Sequence, residues 1–166
     1  MKNFFRDILI ISVPVFLDQL TKHLAVLYLK GQGSIVLIPG VLELFYLENR
    51  GAAFSILQDQ QWFFYILTTV FLVLAFLFLR KMPDTKRMFP MRCAVLVLIA
   101  GAVGNFIDRL THRYVVDFIY FSLIDFPVFN VADICVSVSV AVLVVLILFY
   151  YKDEDMVFIH RQSQEM

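Results

Sequence analysis

Acidic side chains set inside apolar sequence are the reactive groups that stand out in this chain. Asp18 interrupts the apolar stretch from Ile8 to Leu29. Asp108 and Arg109 close the run that begins at Cys93, Asp117 follows shortly after, and Asp133 opens the last apolar run, with Asn105 and Asn130 beside them. A carboxylate inside a membrane is costly, and by default it points to function. Asp117 and Asp133 flank the connection between the third and fourth apolar runs. If that connection folds back, they face each other across one site. Like charges at close range cannot both ionise easily, so one proton is shared. Such a pair can activate water as a base and protonate a leaving amine as an acid. A Ser or Cys nucleophile would need a base beside it, and no His/Ser or Cys/His arrangement is apparent at this depth.

Each of these residues also has an ordinary structural reading. Asp18 and Lys22 stand at i and i+4 and can pair on one helix face. Asp108 with Arg109 can end a helix as an interfacial ion pair. Asp133 suits the first turn of a helix, where the dipole favours an acid, and Asn130 suits its cap. Asp117 can be plain loop polarity, and Asp125, in LIDFP, is accounted for by a turn before Pro127. Taken one by one the signals are weak; their crowding at one depth is what stands out.

That depth follows from the elements that carry them. The chain has 166 residues, 61% hydrophobic and 17% charged, with 18 Phe. A soluble domain usually carries about 25% charged residues and at most about half apolar ones. The 14 basic and 14 acidic residues balance, which gives no reason to expect a nucleic-acid partner. A spanning helix needs roughly 20 mostly apolar residues. The expectation is an all-α membrane protein with four transmembrane helices, at about 6–29, 61–80, 92–110 and 128–150, in one membrane-embedded domain covering 1–166. The first helix is retained: Lys2 and Arg6 precede it, but no small-x-small cleavage site follows. Arg80, Lys81, Lys86, Arg87 and Arg92 crowd the loop between the second and third helices. That bias places this loop (81–91) and both termini in the cytoplasm, and segments 30–60 and 111–127 outside. Asp108, Asp117 and Asp133 then lie near the outer face. In segment 30–60, SIVLI and VLELFYL have strand character and meet at Pro39-Gly40, which reads as a hairpin. Since sheet edges are not tolerated in hydrocarbon, it should rest at the interface. Cys93 and Cys135 fall at opposite ends of their helices, too far apart for a disulfide. His23, His112 and His160 are scattered, so no metal site is expected.

Five blocks carry a family resemblance: DQLTK (Asp18 to Lys22), ENRGAAFS (Glu48 to Ser55), GAVGNFIDR (Gly101 to Arg109), VVDFI (Val115 to Ile119) and FNVADICV (Phe129 to Val136). In order and spacing they resemble lipoprotein signal peptidase, or signal peptidase II, over nearly the whole chain. The resemblance implies an aspartic intramembrane peptidase of the bacterial inner membrane, with Asp117 and Asp133 as its catalytic pair. It implies cleavage of diacylglyceryl-modified prolipoproteins just before the lipidated cysteine. Asp18, Lys22, Asn49, Arg50, Gly51, Asn105, Asp108, Arg109 and Asn130 would bind substrate or support the dyad, with Asn49 and Arg50 capping the site. Segment 30–60 would form an extracytoplasmic β-cradle and a short amphipathic helix. The partners implied are prolipoprotein signal peptides, membrane lipids and the inhibitor globomycin. Aspartic chemistry needs no cofactor, and nothing in the sequence suggests an obligate oligomer. Two rivals remain at this point. One is a small ion- or proton-coupled transporter, which also uses intramembrane charges; the other is a structural membrane subunit whose acids tie helices together.

Overall fold

The computed structural model describes residues 2–51 and 60–160. Its long elements are α1 (Lys2–Leu29), α2 (Gln61–Lys81), α3 (Phe89–His112) and α4 (Val131–Val145), the last running on through a wider π turn to Tyr150. Among the described residues, four helices are thus long and apolar enough to cross a membrane. The packing is inverted relative to a soluble protein. Phe16, Trp62, Leu148 and Phe149 are exposed, whereas Asp18, Lys22, Asp108, Asp117 and Asn130 are buried. An apolar exterior is what lipid favours; the polar groups inside must be satisfied by one another.

Helix α3 is central and packs on α1, α2 and α4. Two glycines let its neighbours approach. A Cβ on Gly101 would lie 2.6 Å from the Ala132 carbonyl oxygen of α4, and one on Gly104 would lie 2.5 Å from Asp18 Oδ2 of α1. Small residues at such crossings are how membrane helices bring backbones together. The α3–α4 and α1–α3 seams are therefore close at the level of the acids.

Between the helices lies a small antiparallel sheet. Strands β1 (Ile35–Ile38) and β2 (Leu42–Asn49) form the expected hairpin, turning through Pro39-Gly40 with Gly40 at φ 70° and the Val41 N–H donated to the Ile38 carbonyl at 3.0 Å. A third strand joins them. The sequence placed VVDFI in an outer loop, but Val115–Tyr120 is strand β3, paired antiparallel with β2 so that Asn49 faces Val115 and Leu47 faces Asp117. Arg113 adopts a left-handed conformation (φ 65°) that ends α3 and lets the chain reverse into β3. The short amphipathic helix expected in segment 30–60 is not among its described elements; residues 52–59 of that segment lie outside the described residues. Cys93 and Cys135 are free thiols.

The opposite end of the bundle is closed by the tail. After the π turn, Tyr151 is buried, accepts the Met91 N–H at 3.3 Å and donates to the Arg87 carbonyl at 3.0 Å. A 3-10 turn (Asp153–Met156) and the one-turn helix α5 (Val157–His160) then bring Phe158 against Phe78 of α2.

Candidate active site

On α1, Asp18 and Lys22 are one turn apart and both face α3. Lys22 Nζ reaches Asp18 Oδ2 at 2.8 Å and Asp108 Oδ2 at 3.0 Å, and donates to Asn105 Oδ1 at 2.8 Å. The two acids extend the tie to other elements. Asp18 Oδ1 accepts the Ala132 N–H at the start of α4, at 2.9 Å, and Asp108 Oδ2 accepts the Val116 N–H of β3, at 3.1 Å. Three helices and a strand are pinned by one buried charge cluster. A buried pair of this kind stabilises only when its remaining lone pairs are satisfied, and here they are. Gln19, which sequence reasoning passed over, completes the cluster: its Nε2 donates to Asp108 Oδ1 at 2.9 Å and to Asp18 Oδ2 and the Gly104 carbonyl at 3.2 Å.

This frame sets the position of Asp117 on β3 and Asp133 in the first turn of α4. Asn130 caps α4: its Oδ1 accepts the Asp133 N–H at 3.0 Å, and Asp133 Oδ2 accepts the Asn130 N–H at 3.1 Å. The same Asn130 donates from Nδ2 to Asp117 Oδ1 at 2.6 Å. One capping residue therefore holds both carboxylates. The second oxygens are also engaged, since Asn49 Nδ2 donates to Asp117 Oδ2 at 2.8 Å and Asn105 Nδ2 to Asp133 Oδ1 at 2.8 Å. Burial first, and then the charge of Asp133, push the Asp117 pKa up to about 7, against the bonds donated by Asn49 and Asn130.

Arg109 frames the other side. Its guanidinium lies 4.4 Å from the Phe64 ring centroid and donates to the Gly51 carbonyl at 3.2 Å and the Asn105 carbonyl at 3.4 Å. Tyr65, also unanticipated, donates its hydroxyl to the Arg109 carbonyl at 2.8 Å, tying α2 to the end of α3. Gly51 gives its N–H to Asn49 Oδ1 at 3.0 Å. Arg50 lies 4.0 Å from Glu48, with its side chain 59% exposed. The carboxylates open on a cavity of about 590 Å³ whose lining includes Asn49, Arg109, Asp117, Phe126, Asp133 and Val138. Its floor is polar and its walls are apolar, and Val138 is itself exposed on the outer surface of α4. The cavity thus borders the apolar outer surface of the bundle.

A buried and a half-buried carboxylate, both bonded to Asn130 and open to a cavity beside the apolar outer surface, suit hydrolysis of a membrane-borne substrate. Comparison with known proteins agrees. Residues 10–149 match the family model described as signal peptidase (SPase) II. The chain belongs to the signal peptidase II family. It is 42% identical over 148 residues to the lipoprotein signal peptidase of Streptococcus pyogenes serotype M5 (strain Manfredo), covering 89% of this chain and 94% of that one. The serotype M1 protein of the same name is 41% identical over the same length. Two solved structures described as bacterial membrane enzymes superpose with TM-scores of 0.75 and 0.74. They share 33% and 35% identity and cover 89% and 88% of this chain, and 92% and 94% of their own. The chain is therefore a peptidase and a multi-pass bacterial membrane protein. The transporter reading receives no support.

Proposed function

We propose that the chain is an aspartic endopeptidase that removes signal peptides from diacylglyceryl-modified prolipoproteins, cutting just before the lipidated cysteine. The observation that carries this reading is the double use of Asn130, which caps Asp133 and donates to Asp117. It gathers two carboxylates at one site, where burial and the Asp133 charge favour a protonated Asp117 beside an ionised partner. The ionised member takes a proton from a water, whose oxygen attacks the scissile carbonyl. The protonated member donates to the carbonyl oxygen as the tetrahedral species forms. The first then returns its proton to the leaving nitrogen, and as the C–N bond breaks the second takes back a hydroxyl proton from the tetrahedral carbon, which restores both the carbonyl and the dyad. A Asp117 pKa of about 7 suits that exchange near neutrality.

Asp18, Lys22, Asn105, Asp108 and Asn130 support the dyad in this reading, and Asn49, Gly51 and Arg109 form the wall against which substrate lies. Arg50 is assigned to closure of the site. Orientation rests on the basic residues at the far end of the bundle, among them Lys86, Arg87 and Arg92, which favour the cytoplasm. The dyad then lies near the extracytoplasmic face, both termini are cytoplasmic, and the chain works as a monomer that globomycin inhibits. At that depth the two acyl chains of the substrate remain in lipid while its peptide bond reaches the acids. Each buried methylene contributes about 0.8 kcal/mol to membrane partitioning, and such remote binding energy can position the scissile bond.

The test is cleavage of a diacylglyceryl prolipoprotein by the purified chain in bilayer, against the same substrate with an unmodified cysteine incorporated in equal amount. The diacylated substrate is expected to turn over far faster. Equal turnover sinks the lipid-reading role, and no cleavage of either sinks the peptidase assignment.

A further inference from the structure

An amide side chain has one face that accepts and one that donates. Which face it shows to a carboxylate is decided by what touches the other. Around Asp117 and Asp133, the Oδ1 of Asn130 is occupied by the Asp133 N–H and that of Asn49 by the Gly51 N–H. Both are backbone donors, fixed in direction by the chain. Asn105 is held differently. Its Oδ1 receives Lys22 Nζ at 2.8 Å and, at a longer 3.2 Å, Asn130 Nδ2, which is already donating to Asp117 at 2.6 Å. An ammonium has three hydrogens and no acceptor. Those of Lys22 have three partners, Asp18, Asp108 and Asn105, and its side chain is 3% exposed. The atom of Asn105 that meets Lys22 must therefore be oxygen, and the NH2 must turn to Asp133.

We propose that Lys22, which bonds to neither Asp117 nor Asp133, is a positioning residue that sets the hydrogen-bond polarity of the dyad through Asn105. With Lys22 in place, each carboxylate oxygen of Asp117 and Asp133 accepts from an amide. None of these amides offers an acceptor that would hold the dyad's proton, so the proton remains available to substrate. Without the ammonium, Asn105 is released to turn its oxygen toward Asp133. There it would accept from the protonated acid and hold that form. The acids that feel the Lys22 charge are Asp18 of α1, Asp108 of α3, Asp133 of α4 and Asp117 of β3, and Arg109 of α3 acts on three of them, Asp108, Asp117 and Asp133, so charge loss must be separated from loss of the lock.

This inference rests on the aspartic reading above. The experiment measures kcat/KM against pH for the full-length chain in nanodiscs with a diacylglyceryl prolipoprotein. The proteins are wild type, Asp117→Asn, Lys22→Met, the double variant Lys22→Met/Asp108→Asn, and Asn105→Asp. A wild type that does not cleave overturns the proposed substrate, and an Asp117→Asn that does cleave overturns the aspartic dyad; in either case the reading beneath the lock fails and not the lock alone. Given a cleaving wild type, Lys22→Met is expected to move the acid limb to higher pH by about one unit or more. The shift should persist in the double variant, where a lost carboxylate offsets the lost ammonium. Asn105→Asp preserves size and the Asp18–Lys22–Asp108 cluster but has no hydrogen for Asp133 unless protonated. Its cleavage should fall by at least ~100-fold near neutrality and recover toward acid pH. A wild-type profile in folded Lys22→Met, or a shift that disappears in the double variant, overturns the proposal. If the Lys22 variants do not fold, Asn105→Asp decides, and a wild-type profile there overturns it.

Discussion

At the end of the bundle that carries the sheet, Lys22 and Asp18 pair at 2.8 Å with side chains 3% and 1% exposed; at the other end Arg6 and Asp84 pair at 3.4 Å with side chains 32% and 41% exposed. The chemistry is alike and the setting is not. In the first cluster every partner ties a different element: Asp18 reaches α4, Asp108 reaches β3 and Gln19 reaches α3. In the second, Arg6 lies 4.9 Å from the Phe89 ring centroid and also bonds its neighbour Asp7, while Arg87 rests 4.0 Å from the Tyr150 ring centroid and bonds Asp155. Arginines there bind the loop and tail to the bundle from its rim. Low dielectric makes a satisfied polar network strong and a broken one costly; exposed pairs are screened and contribute little. The comparison teaches where this protein is intolerant: at the buried polar end, where geometry and reaction depend on the same atoms.

The largest effect should come from the two carboxylates. Asp117→Asn and Asp133→Asn are each expected to lower cleavage by at least about a thousandfold, since residues acting as a unit fail together. Both variants should remain inserted at normal abundance in membrane fractions. Near-normal cleavage in either removes the dyad assignment. No single rim residue, Arg6 included, should lower cleavage comparably.

Next in size is loss of the frame. Asp108→Ala removes partners of Lys22, Gln19 and the Val116 N–H at once. Breaking a buried pair from one side costs about 3–5 kcal/mol, so a large drop in thermal stability in detergent is expected. A loss under about 1 kcal/mol would mean the cluster is solvated after all and would erase the contrast with the rim. Gly104→Ala tests the same frame by volume. Its added carbon meets Asp18 Oδ2 at 2.5 Å, and overpacking of this sort costs typically about 1–3 kcal/mol. Because Asp18 caps α4 through the Ala132 N–H, part of the effect should appear as lost cleavage. A variant with wild-type stability and rate would show the α1–α3 seam to be loose.

The legible part of this design was the part carried by composition and by residue type. Apolar runs gave the helices, β-branched stretches on either side of Pro39-Gly40 gave the hairpin, and acids at one depth gave the candidate site. β3 was not legible. VVDFIYF is apolar on both sides of Asp117 without alternation, so periodicity cannot separate strand from buried loop, and its partner β2 comes from a distant part of the chain. Gln19 was hidden for another reason. Beside Asp18 it reads as a second polar residue on a helix, and its reach to Asp108 depends on how α1 rotates against α3. That rotation is set by Gly104, a contact between elements that local sequence does not encode.

The pH dependence of stability sharpens the comparison at a single atom pair. Burial and the Asp133 charge raise the Asp117 pKa from the ordinary carboxylate range to about 7 in the folded protein. A group whose folded pKa is raised binds its proton more tightly when folded. Its contribution is fully present below the unfolded value, near 4, and is lost as pH rises through about 7. The stability of the wild type relative to Asp117→Asn should therefore fall between about pH 4 and pH 7, because the neutral amide has no proton to lose. A flat difference across that window would place Asp117 in a solvated site with an ordinary pKa.

The smallest effect is expected at the rim, from Arg6→Ala. The variant loses the 3.4 Å pair to Asp84, the bonds to Asp7 and the contact with Phe89. Asp7 keeps Arg92, which bonds it through both Nε and Nη2, so no buried acid is left alone. Two of the lost interactions involve groups a third or more exposed, where salt screens attraction and ordering long side chains offsets it. The change in stability should stay below about 1 kcal/mol, shrink further in high salt, and leave cleavage at the wild-type rate. A salt-independent loss of several kcal/mol would show that Arg6 is held in a water-poor groove between α1, α3 and the 82–88 loop. The two ends of the bundle would then differ in what they do and not in how they are built.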